Sequence, residues 1–190
     1  MTNTEVIRDK ILEILGVEHH LLQSIERQTR DSRIKGYRSA HELLLKTEFA
    51  VSSHVVALER HLADANGGYE AKLKKAATSF MGAVGGLYDK VRQDEPVSRN
   101  LRDDYAELNL AAISYGMLHT VALALHDSAI AEMAYRHLTE LTPLIIQLSD
   151  LIPLVLTEEL SNEGKIEDTS TARQALANLQ TAWSHETVRT

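Results

Sequence analysis

Four stretches of this chain, each about 25 residues long, repeat apolar side chains at intervals of three and four, the spacing of one face of an α-helix. Leu44, Val51, Val55, Leu58 and Leu62 trace one such stripe, and Ile130, Met133, Ala134, His137, Leu141, Ile145 and Leu148 trace another. A helix with one apolar stripe must bury it against another element, and when every long segment carries such a stripe the helices must bury one another. A segment of this length spans roughly 38 Å at 1.5 Å per residue, which suits a four-helix bundle. The spacing predicts central helices over 17–34, 39–65, 99–126 and 129–157, with 69–93 as a crossover helix between two helical hairpins.

The punctuation agrees. Thr2 with Glu5, and Ser39 with Glu42, have capping-box spacing, Ser98 is a candidate cap for the third central helix, and Asp127-Ser128 offers a stop followed by a new start. Gly16 predicts a bend or break, so that residues before it form an additional N-terminal helical segment, and Pro143 predicts a kink. With 3 prolines and 5% aromatic residues, a β-sandwich or barrel is disfavoured and the fold class is all-α. The 190 residues divide into a bundle over 1–160 and a polar linker with a C-terminal appended helix over 161–190.

Charge narrows the partners. A formal net charge of −7, with the basic residues scattered, argues against nucleic acid and anionic lipid. The absence of cysteine excludes disulfides, thiolate metal sites and a thiol nucleophile. The polar start of the chain lacks the features of a signal peptide, and the apolar region 138–160 is interrupted by Glu140, Pro143, Gln147, Asp150 and Pro153, short of a membrane span. A cytoplasmic location is the expectation.

Nine histidines invite a metal reading, but none has a glutamate three residues before it, and that pair is how carboxylate-bridged di-iron bundles hold metal. His41-Glu42 lacks the second histidine of a zincin helix, since Leu45 stands there. His54 to His61 and His119 to His126 share a His-x-Val-Ala-Leu-x-x-His frame, in which each pair lies two turns apart, too far for one ion. No Ser-His-Asp order, phosphate loop or dinucleotide fingerprint is visible, so catalysis has no foothold.

Val17-Glu18-His19-His20-Leu21-Leu22, Ser53-His54-Val55-Val56-Ala57-Leu58-Glu59 and Leu110-Ala111-Ala112-Ile113-Ser114-Tyr115-Gly116 resemble corresponding places in ferritin-like proteins of the small bacterial stress-associated YciF type, with order and spacing similar over residues 10–157. The resemblance implies a ferritin-like bundle, a dimer, and in some members two metals between the helices. It places a ligand at Glu18 and a histidine at His54, whereas Val51 and Ala111 stand where acids are expected. Glu48, Glu107, His137 and Glu140 are the remaining candidates for an irregular carboxylate and histidine site.

The expectation is therefore a non-enzymatic ferritin-like bundle of structural or interaction role, associated with stress through the resemblance, lacking a complete di-iron site and needing no cofactor. Its expected partner is a second copy of itself, with an unidentified protein or small molecule as the other kind of ligand. The alternative is a metal-binding, metal-storage or oxidase bundle using iron or manganese at Glu18, Glu48, His54, Glu107, His137 and Glu140.

Overall fold

The computed structural model describes residues 2–64 and 95–183, and all regular structure among them is helical. Six helices follow in order: α1 (Asn3–Arg30), α2 (Ser32–Gly36), α3 (Arg38–Asp64), α4 (Val97–Ala124), α5 (Ser128–Asn162) and α6 (Thr171–Trp183). The crossover helix expected over 69–93 lies outside the described residues.

Helix α1 opens with the capping box read from the sequence: the Glu5 amide donates to Thr2 Oγ1 at 3.3 Å, and the Thr2 amide donates to Glu5 Oε2 at 2.7 Å. Gly16 does not break it. Ile14, Leu15, Gly16 and Val17 are all buried, so tertiary packing on both sides holds the glycine in the helix. The N-terminal segment and the first central helix are thus one 28-residue helix rather than two pieces. Helix α3 starts at Arg38, which leaves Ser39 inside the helix instead of at its cap, and Arg38 Nε donates to Glu42 Oε1 at 2.8 Å. Likewise α4 starts at Val97 with Pro96 before it, so Ser98 sits in the first turn, where its amide donates to Glu159 Oε1 at 3.2 Å.

The α4–α5 junction is a tight reversal. His126 takes φ 61°, the left-handed conformation that ends α4, and Asp127 Oδ1 then accepts from the Ile130 amide at 3.1 Å to cap α5. Helix α5 runs unbroken through Pro143 and Pro153, since its stripe from Ile130 to Val155 stays buried on both sides of each proline. By length and composition it is the one helix among the described residues long and apolar enough to cross a membrane, despite the interrupting residues.

Helix α1 packs against α3 and α4, and α5 packs against the same two, so the four long helices form a ring with α1 diagonal to α5 and α3 diagonal to α4. Their directions follow from cross-helix contacts. Gln28 near the end of α1 meets Asp104 near the start of α4, while a cleft at the other end brings together Ile7, Leu62 and Leu125. Ring neighbours are therefore antiparallel, and the diagonal helices α3 and α4 run the same way. The chain leaves α3 at one end of the ring and enters α4 at the opposite end. Short α6 packs on α5, and Trp183 stacks on Tyr105 of α4 with ring centroids 5.7 Å apart.

Candidate functional site

Halfway along the ring the apolar core gives way to a polar layer built from all four long helices. Glu18 from α1, His54 from α3 and Tyr115 from α4 are fully buried, and His137 from α5 is 5% exposed. These residues fall on the inward stripes of their helices, so the same periodicity that builds the core delivers them to its centre.

His54 is the hub. Its Nδ1 lies 3.2 Å from Glu18 Oε1 and its Nε2 lies 2.8 Å from Glu140 Oε2. A neutral imidazole carries one N–H and one lone pair, so with a carboxylate at each nitrogen both bonds form only when both nitrogens are protonated. Burial alone pushes the His54 pKa down, but the bonds and charges of Glu18 and then Glu140 outweigh it and hold the ring above the usual histidine range. The result is an imidazolium clamped between two carboxylates, one buried and one half exposed where the layer reaches solvent between α3 and α5.

The neighbouring groups respond to that cation. His137 stacks on His54 with centroids 4.1 Å apart and planes 16° from parallel. Burial, the adjacent positive ring and then Arg136 push its pKa down to about 3, so it stays neutral. Tyr115 meets both rings edge-on, at 5.6 Å from His54 and 5.0 Å from His137. Burial first, and then Glu18, raise its pKa well above the ordinary tyrosine value, so it remains a phenol. Tyr115 also interacts with Glu18 by a hydrogen bond outside ideal geometry, whereas His137 Nδ1 is buried without a partner, a desolvation cost carried within this layer.

Of the sequence candidates, Glu18, His54, His137 and Glu140 come together here. Glu48 does not join them: it accepts from Thr29 Oγ1 at 2.9 Å, nearer the end of the bundle where α3 begins. Glu107 also stands apart, facing α1, where His20 Nδ1 lies 3.0 Å from its Oε2. Val51 and Ala111, at positions where the resemblance expects acids, are fully buried and apolar. His119 and the His54 frame lie on diagonal helices, and His119 Nδ1 donates to the Ala131 carbonyl at 2.7 Å instead.

A di-metal site needs convergent lone pairs from carboxylates and imidazoles. Here both nitrogens of His54 face carboxylate oxygens, and the near-parallel His137 ring stacks face to face on His54. Among the described residues no group of three or more histidine, aspartate or glutamate side chains is arranged to hold a metal ion. The arrangement does not fit the metal centre.

Sequence reading identified the four residues but not the clamp, because which side chains meet across helices depends on register between helices. Tyr115 is named in the sequence reading only within the Leu110–Gly116 stretch of the resemblance. No family model, curated protein or solved structure matches the chain.

Proposed function

We propose that the protein is a ferritin-like bundle in which a protonated histidine replaces the metal, and that it works as a structural or interaction protein, as a homodimer, rather than as an enzyme. The observation that carries this reading is His54 with a carboxylate at each ring nitrogen. In a metal-holding bundle the cation neutralises carboxylates gathered from several helices; in this chain the imidazolium does so. The direction pattern of the ring, with one passage of the chain between its ends, supports the ferritin-like assignment. The stress association rests on the sequence resemblance alone. A cytoplasmic location, with neither nucleic acid nor membrane as partner, is part of the same reading, supported by the scattered basic residues.

Homodimerisation is supported by the outer face of α4. From Leu108 to His126 there is no Asp, Glu, Lys or Arg, and Leu110, Ile113, Met117 and Leu123 project from this stretch at 37–62% exposure. A second copy can approach such a face without meeting like charge, although each chain carries a net −7.

One observation favours the competing reading of an iron- or manganese-binding bundle: Glu18 Oε2, Tyr115 Oη and the unpartnered His137 Nδ1 are potential ligand atoms buried in one layer. That reading requires His54 to lose its proton and release a carboxylate. Calorimetric titration with iron(II), manganese(II) and zinc(II), with bound metal assayed in the same samples, separates the two. The histidine-clamp reading expects no stoichiometric binding, and two tightly held ions per chain overturn it.

A further inference from the structure

We infer, building on the homodimer read from the outer face of α4, that Met117 is an oxidation site within that contact, and that a hydroperoxide converting its thioether to the sulfoxide releases the second copy. Met117 stands midway along the uncharged stretch from Leu108 to His126, in one stripe with Leu110 and Ile113 at intervals of three and four residues. It is 50% exposed, whereas Met133 of α5 is 8% exposed and packed in the core, so a dissolved oxidant reaches the first and not the second. A contact limited to this face is small enough to exchange with free chains, in which the Met117 sulfur meets solvent.

The neighbouring hydroxyls decide what oxidation does. Ser114 and Thr120, three residues to either side on α4, donate to the carbonyls of Leu110 at 2.7 Å and Gly116 at 2.9 Å. Thr139 and Thr142 of α5 donate to the carbonyls of Tyr135 and Leu138, each at 2.8 Å. A hydroxyl has one proton, so these side chains lose no hydrogen bond when a second copy covers them. The same commitment works against a sulfoxide. One oxygen atom passes from the peroxide to a sulfur lone pair, the O–O bond breaks, the sulfur is oxidised by two electrons, and hydrogen peroxide leaves as water. The new S=O is a polar acceptor, and none of these hydroxyl protons is free to meet it, so burial in the contact leaves it unsatisfied. In a two-fold contact the cost falls on both copies.

Sedimentation velocity of the full chain at micromolar concentration, before and after mild hydrogen peroxide, tests this, with oxidised positions located by peptide mass spectrometry. One added oxygen at Met117 is expected, with the dimer weakened by about tenfold or more and restored by methionine sulfoxide reductases. Met117→Leu should dimerise and keep its dimer in peroxide, which separates Met117 from the other three methionines. Circular dichroism of the oxidised chain establishes that it stays folded. Undiminished dimerisation of a chain oxidised at Met117, no oxidation of Met117 in the folded chain, or equal peroxide sensitivity in Met117→Leu overturns the oxidation site and leaves the homodimer standing. An untreated chain that never dimerises overturns both.

Discussion

A histidine with one acidic neighbour gains stability from its charge, whereas a histidine held between two depends on that charge for its geometry. Replacing His54 by alanine leaves the fully buried Glu18 without its counter-ion, and breaking a buried pair in this way costs about 3–5 kcal/mol. Glu140 is half exposed, so water can replace it, and Glu140→Gln should cost no more than about 1 kcal/mol. Urea denaturation of both variants checks this asymmetry, and equal losses would count against the clamp. The pH dependence follows from the two stacked rings. The folded pKa of His54 is raised, so its contribution is complete below the unfolded value of about 6.5 and is lost as pH rises through the folded value. His137 is depressed to about 3, so the unfolded chain takes up a proton that the native one refuses, and stability falls from about pH 6.5 toward pH 3 by up to about 1.4 kcal/mol per unit. Stability set by this pair should peak near pH 6.5, with denaturation midpoints declining on both sides; a midpoint that still rises between pH 7 and 9 would contradict the assignment.

Along the helices and their turns, two positions where backbone and residue type conflict can be relieved by substitution. Gly116 lies inside α4, and a Cβ built there meets nothing within 4 Å, so Gly116→Ala should raise stability by about 1 kcal/mol through helix propensity alone. His126 carries a positive φ that costs a β-carbon about 1–2 kcal/mol, so His126→Gly should stabilise the α4–α5 turn by about 1 kcal/mol. Thermal and urea unfolding measure both. Element boundaries were legible where the signal is local, as at the Thr2 and Glu5 box and the Asp127 cap. They were not where packing overrides propensity, as at Gly16, which is held in α1 by buried neighbours on both sides; Pro143 and Pro153 lie within α5 as the predicted 129–157 helix has them. The candidate site divides similarly. The family resemblance marked Glu18 and His54, and its place on an apolar stripe marked His137, but the separation of Glu48 and Glu107 from them depends on which helices face each other, and no single sequence displays that.

For the molecule as a whole, the uncharged surface of α4 continues onto α5 through exposed Tyr135 and Ile146. Two adjacent helices about 10 Å apart, exposed over about 27 Å, give a footprint of roughly 500 Å², the size of a weak interface, below the ~800 Å² per partner of a standard one. Ile113→Asp with Met117→Lys should therefore yield monomers in sedimentation while leaving the circular dichroism unchanged; a wild-type chain that is monomeric at micromolar concentration would remove the dimer. The same ring carries a kinetic consequence. Helices α1 and α3 meet across short α2, and α4 and α5 across a turn, so each hairpin can form early from nearby residues, whereas the bond from His54 to Glu140 spans 86 residues. That bond cannot exist until the hairpins have docked. Replacing Glu140 should accordingly speed unfolding and leave the refolding rate nearly unchanged, as expected of a contact that is made after the rate-limiting barrier and then locks the product.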